Sequence, residues 1–441
     1  MLRNTGFARL AALVLTPFAG VATPQLALAQ ELTSVAQNDS GDTAWVMVCS
    51  ALVLLMALPG LGLFYGGLVR AKNFLSVLLQ VAAVAGLASV LWVMVGYTLA
   101  FGDSLSGMIG NGAKWMLIDL TILREGMVLP ESTFALFQMT FAAITPALMV
   151  GAWVDRARFG WVLAFTALWG LLVYAPVAHW IWGGGWLGQL GVVDFAGGLV
   201  VHTTAGVSAL VVALLLGKRQ GFPGPALLPH APGLTMLGAM LLWVGWFGFN
   251  GGSALTATDD ASSAIINTHV AAAVAALVWV AVEKAKFGKP TTVGFATGAI
   301  AGLATITPAA GFITPGSAIL IGVAGALVCF WAIGLVKNKL AIDDSLDVFA
   351  VHGVGGMLGT VLLGVFIWGG VGGMGYTALV DMPLAVGVQA FGVLVVALFS
   401  AVATALIAVG VSMFIPMRVT EDEEVQGLDL TSHGERGWSM D

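Results

Sequence analysis

The chain has 441 residues, 59% of them hydrophobic and only 9% charged, with a mean hydropathy of +0.97. A soluble globular domain is excluded by that composition. The formal net charge of -6 says little about partners and gives no sign of a nucleic-acid binder. Cys49 and Cys329, both in apolar runs, supply neither a disulfide framework nor a metal-ligand spacing.

At the N-terminus, Arg3 and Arg9 precede a mostly apolar run from Leu10 to Ala22 and the small-residue sequence Ala27-Leu28-Ala29. This pattern predicts a signal peptide over 1–29, an exported N-terminus and a mature chain that opens at Gln30. Pro17 and Pro24 argue against an uncleaved first helix. After residue 42, ten stretches lack Asp, Glu, Lys and Arg: 43–69, 73–102, 132–154, 159–193, 195–217, 220–258, 261–282, 290–336, 348–380 and 382–417. A spanning helix needs roughly 20 apolar residues, so most stretches hold one. The 290–336 stretch has room for two, broken at the turn-type sequence from Gly311 to Gly316.

The reading is an all-α polytopic membrane protein whose transmembrane domain covers 30–417. Eleven helices are expected at about 43–69, 76–102, 132–154, 159–180, 195–217, 233–254, 261–282, 292–311, 316–336, 346–369 and 385–415. A cytoplasmic tail follows over 418–441. The 59 glycines suit close helix packing in lipid.

Basic residues fall in alternate loops: Arg70 and Lys72; Arg156 and Arg158; Lys218 and Arg219; Lys284, Lys286 and Lys289; Lys337 and Lys339; then Arg418 and Arg436. Only Lys114 and Arg124 of the mature chain lie on the other side. Basic loops stay cytoplasmic, which puts the N-terminus out and the C-terminus in, as an odd number of helices requires.

Within this frame two segments echo each other. Asp194 is followed eight positions later by His202, and Asp344 eight positions later by His352. Each His follows a Val, and each has a Gly four residues on, Gly206 and Gly356. Phe64-Tyr65-Gly66-Gly67 and Phe249-Asn250-Gly251-Gly252 form a second echo. The fifth helix is expected to start outside and the tenth inside, so the halves form an inverted five-plus-five repeat with one added helix. Eight residues place each His roughly 12 Å in from opposite faces, so the imidazoles meet near the midplane. An ionisable side chain at that depth is functional by default and needs a partner, and each His is the natural partner of the other. The plainer reading is that each His ties neighbouring helices together.

Asp194 and Asp344 sit at helix starts, where a carboxylate caps free N–H groups, and both read as mainly structural. Trp182 is either an interfacial belt residue or a cation–π platform. Phe137 and Phe141, like Phe249 and Ser253, are one helical turn apart; by spacing alone they are packing residues.

Six stretches taken together resemble the ammonium transporter family, in its Amt rather than its Rh branch. They are Pro59 to Leu68, Trp182 to Leu187, Asp194 to His202, Gly245 to Ser253, Asp347 to Gly353 and Gly427 to Glu435. The resemblance runs from about residue 43 to 436. It implies a non-enzymatic ammonium transporter of the bacterial inner (plasma) membrane, without cofactor or metal. It assigns Trp182, Phe137, Ser253 and Asp194 to substrate recruitment, Phe141 and Phe249 to a gate of stacked rings, and His202 and His352 to pore lining and proton relay. It also implies a homotrimer and a cytoplasmic PII-type regulatory partner acting on the tail.

The physics fits net electrogenic ammonium uptake, because splitting the ion into ammonia and a proton avoids carrying a charge through an apolar pore. The alternative is a passive ammonia gas channel without charge movement. Two other rivals are a bis-His haem protein and a signalling sensor acting through a separate partner.

Overall fold

The computed structural model describes residues 37–118, 120–224, 228–376 and 381–438. The expected signal peptide, 1–29, lies outside the described residues. Apolar helices follow in chain order: α1 Ser40–Leu68, α2 Ala71–Phe101, α3 Glu131–Trp153, α4 Phe159–Gln189, α5 Gly198–Leu216, α6 Pro232–Gly251, α7 Asp259–Phe287, α8 Thr292–Ile306, α9 Pro315–Lys339, α10 Phe349–Phe366 and α11 Met382–Ser412. Among the described residues, ten of them are long and apolar enough to cross a membrane, and α8 is shorter. A two-residue hairpin, β1 Ser104–Leu105 with β2 Ile109–Gly110, sits between α2 and α3.

The ends of the helices follow local chemistry. α7 runs past its uncharged stretch because its charges suit the helix dipole: Asp259 and Asp260 in the first turn, Lys284 and Lys286 in the last. α8 stops at Ile306 rather than near 311, where Pro308 denies the backbone an N–H and disfavours helix before it. The chain turns there, and Thr314 caps α9 by accepting from the Ser317 N–H. The stretch 290–336 thus holds two helices, α8 and most of α9.

The centre of the bundle is the crossing of α5 and α10, which run antiparallel. The loop before α10 packs on the residues that follow α5. The Arg219 N–H donates to Asp343 Oδ2 at 2.7 Å, and Arg156 bridges the Gly217 and Asp343 carbonyls at 2.9 and 2.7 Å. At the other end, Gln389 of α11 joins Val193, ahead of α5, to the Thr360 carbonyl of α10.

The crossing is close because it is made by glycine. A Cβ on Gly206 would lie 2.3 Å from the Gly353 backbone, and one on Gly356 would lie 2.5 Å from the Gly198 carbonyl oxygen. These are the two glycines placed four residues after each His, and each lets its backbone approach the other helix where that helix carries its His.

The tail folds back on the end of the bundle that carries the basic loops. Thr420 and Glu423 form a capping box for α12, Glu421–Gln426, and α13 spans Leu428–His433. The buried Glu424 carboxylate accepts from the Gln220 N–H and from Arg418, each at 2.7 Å. The Leu428 N–H donates to Asn73 Oδ1 at 2.7 Å, and Asp429 Oδ1 accepts the Ser76 N–H at 2.8 Å. The tail is thereby tied to the start of α2.

Gly206→Ala should destabilise the fold by about 1–3 kcal/mol, the usual cost of overpacking a tight contact. Gly86→Ala is the control, since an added Cβ there meets nothing within 4 Å. Thermal unfolding in detergent checks the pair: the first variant melts lower and the second does not.

Candidate functional site

Three π-helical turns, each an extra residue wound into a helix, carry the central side chains. Gly198–Thr203 holds His202, Phe349–Gly353 holds His352 and Phe247–Gly251 holds Phe249.

The start of α5 is built by one carboxylate. Asp194 Oδ1 accepts the N–H groups of Gly197 and Gly198 at 2.8 and 2.7 Å, and Oδ2 those of Leu199 and Val200 at 2.7 and 3.1 Å. Gly197, at φ 116°, supplies the left-handed turn that folds these four groups round the carboxylate. The backbone carbonyl of the same Asp194 accepts the Trp182 indole N–H at 2.8 Å. One residue therefore sets both the helix start and the plane of the tryptophan. Asp344 repeats the cap in a weaker form, with Oδ2 accepting the Phe349 N–H at 2.7 Å.

A cavity of about 580 Å³ opens at this end of the bundle, with Trp182, Asp194, Ser253 and Phe141 in its wall. The Ser253 hydroxyl donates to the Phe249 carbonyl at 2.8 Å, which leaves its lone pairs for a donor in the cavity. Phe137 is fully buried and does not reach this wall; its ring packs edge-on behind Phe141, with centroids 4.9 Å apart. Gln138 does reach the wall, and its Oε1 has no hydrogen-bond partner among the described residues.

The Phe141 ring stacks on Phe249 with centroids 4.2 Å apart and planes 27° apart. It meets Trp182 edge-on at 5.9 Å. The two phenylalanines are buried and separate the outer cavity from a small inner one. Phe249, Trp246, His202 and His352 bound the inner cavity together with aliphatic residues including Leu61, Ile144 and Leu242. It admits the centre of a water-sized molecule to about 10 Å³, room for roughly one such molecule.

The imidazoles of His202 and His352 are 3.3 Å apart, Nδ1 to Nδ1, with centroids at 5.2 Å and planes within 18°. One Nδ1 must donate and the other accept, so the pair presents one Nε2–H and one bare Nε2. His202 Nε2 is buried with no hydrogen-bond partner among the described residues. The rings touch directly, and no macrocycle fits between them.

On its other face His202 stacks on Trp246, with centroids 5.4 Å and planes 20° apart. The Trp246 N–H donates to Thr307 Oγ1 at 2.8 Å. Trp246 and Gln138 are the site residues that sequence reasoning assigned no role. Trp246 stands one turn before Phe249 on α6, and that spacing is the signal that could have flagged it.

Fold and site together define a multi-pass helical membrane protein with an aromatic-floored cavity above a buried histidine pair. The model of the Ammonium Transporter Family matches residues 44–438. The chain is 47% identical over 403 residues to an ammonium transporter of Bacillus subtilis, covering 90% of this chain and 98% of that protein. It is 42% identical over 395 residues to ammonium transporter Amt1 of Archaeoglobus fulgidus, covering 90% and 98%. Among solved structures, a sensor Amt protein matches with a TM-score of 0.84 at 30% identity, over 91% of this chain and 99% of that one. Mep2 of Saccharomyces cerevisiae matches with 0.80 at 38%, over 88% and 89%. The chain belongs to the ammonium transporter family.

Asp194→Ala removes the acceptor of four N–H groups at once. The expected loss of stability is at least about 2 kcal/mol, read as a lower melting temperature in detergent. An unchanged melting temperature would show that the cap is dispensable.

Proposed function

We propose that the outer cavity recruits ammonium and that ammonia, with a proton handled separately, crosses into the cytoplasm past the histidine pair. The observation that carries this reading is the order of environments along one line. A polar cavity walled by Trp182 and Ser253 leads to the Phe141–Phe249 stack, and a one-molecule apolar cavity beyond it has imidazole as its polar group.

In the outer cavity the indole face of Trp182 offers a cation–π contact of about 0.5–2 kcal/mol. Ser253 and Gln138 offer hydrogen-bond acceptors, which favour ammonium over potassium because only ammonium donates hydrogen bonds. Phe137 supports this site from behind the Phe141 ring, and Asp194 braces it by holding the indole.

Phe141 and Phe249 act as the gate. They leave no aqueous route for the intact ion, whose transfer into an apolar medium costs many kcal/mol. Ammonium therefore gives up a proton at the gate: the bare Nε2 of the pair takes it, and the other ring releases its Nε2 proton towards the cytoplasm, which leaves the pair neutral again. Ammonia then accepts the N–H of one imidazole and donates to the bare nitrogen of the other. The Nδ1–Nδ1 contact carries protons between the rings, so the pair serves as pore lining and relay in one.

The basic-loop pattern supports eleven spans in an inverted repeat, with the tail in the cytoplasm of a cell whose inner membrane holds the protein. The family membership supports a homotrimer with one pore per subunit and a PII-type protein at the tail face.

Trp182→Leu and Ser253→Ala, alone and combined, test the recruitment step. Each should raise the half-saturating ammonium concentration of uptake in cells lacking other ammonium transporters, by roughly 3- to 30-fold for the indole. Each should also weaken discrimination against potassium. Uptake in the double variant with unchanged half-saturation and selectivity would contradict the assignment.

A further inference from the structure

A third cavity, of about 340 Å³, lies between the tail and the junction of α1 with α2. Its size is that of a small-molecule site. Arg70 lines it from the loop and Lys72 from the first turn of α2, and Asp429, Glu435, Arg436 and Trp438 line it from the tail.

The three cations are poorly neutralised. Among the described residues, the Lys72 ammonium donates its hydrogen bond to the neutral Val425 carbonyl. Arg70 reaches Asp155 at a long 3.6 Å, and its Nε is buried without a hydrogen bond among the described residues. Arg436 is exposed and has no ion pair among the described residues. Against these three charges stand Asp429 and Glu435.

Asp429 is 2% exposed; its Oδ1 accepts the Ser76 N–H, while Oδ2 has no hydrogen-bond partner among the described residues. A buried carboxylate oxygen of that kind is an acceptor waiting for a donor. Trp438 is 43% exposed. Its protein neighbours, Phe74 and His230, meet it tilted at 42° and 64°, so neither occupies a parallel stacking position.

We propose that this cavity binds a purine nucleotide: the base stacks on Trp438, a base N–H donates to Asp429 Oδ2, and the phosphate lies between Arg70 and Arg436. An inorganic anion would use the cations alone and leave the ring and the carboxylate unengaged. A purine nucleotide uses all three features, and the small excess of positive charge suits a mono- or diphosphate. Because the wall is shared between the tail and the junction of α1 with α2, the bound nucleotide fastens one to the other. The site is independent of the transport reading.

Isothermal titration of the full chain in nanodiscs with AMP, ADP, GDP and inorganic phosphate tests it. At least one nucleotide should bind saturably, and phosphate alone at least about tenfold more weakly. Trp438→Ala should weaken nucleotide binding roughly 5- to 100-fold, the range for loss of one stacked base. Arg436→Gln should weaken it about tenfold. Both side chains are exposed, so the fold should survive either change, and unaltered melting temperatures check that. Three results would overturn the proposal: no saturation by any nucleotide at millimolar concentration, equal affinity in wild type and both variants, or phosphate binding as tightly as the nucleotides.

Discussion

The structure turns on one unfavourable fact: two imidazoles lie in an interior that supplies them with almost no other polar group. A polar group buried without a hydrogen bond costs on the order of 1–3 kcal/mol by protein mutational data. Each ring here is the other's remedy, at 3.3 Å, and that requires two helix backbones to come closer than ordinary side chains allow. Gly206 and Gly356 permit the approach. The π-turns rotate both histidines into the same cavity, and the Asp194 and Asp344 carboxylates fix where each turn begins. Trp246, anchored to Thr307, holds His202 flat against its partner. Much of the middle of the bundle can be read as the scaffold of this one contact.

The same economy governs the line from cavity to pore. Polar groups thin out stepwise, from the indole, hydroxyl and amide at the outer cavity, through two stacked rings, to aliphatic walls with one imidazole pair. On the proposed function, such a gradient admits a species that can shed its charge and rejects one that cannot. Potassium and ammonium are alike to an aromatic face; they differ in hydrogen bonding and in acidity, the two properties on which the proposed function relies.

A good part of this was legible in the chain. The Asp-to-His spacing, the Val before and the Gly after each His, and the inverted charge pattern of the loops lead to a facing histidine pair, and the structure brings His202 and His352 together. The uncharged stretches mark the helices well, but they truncate α7, whose terminal charges are favourable in a helix, and overrun α8, which ends ahead of Pro308. Other features left no local trace. A π-turn has no composition of its own. Phe137 and Phe141 are equivalent by spacing, yet only Phe141 reaches the outer cavity, and which one does so depends on packing against α6. Trp246 looks like any buried tryptophan until His202 is known to lie on it. The docking of the tail through Asn73, Ser76 and Gln220 joins residues hundreds of positions apart, which no periodicity reveals.

The central claim is that charge moves with ammonia and that the histidine pair carries it. The most direct measurement is the current of proteoliposomes on a solid-supported membrane after an ammonium pulse, compared with a His202→Leu and His352→Leu double variant. The account predicts a transient current in the wild type that scales with ammonium and disappears in the variant. Ammonia flux detected by internal pH with no current in the wild type, or a full current in the variant, would contradict it and leave a passive channel whose histidines serve only to join two helices.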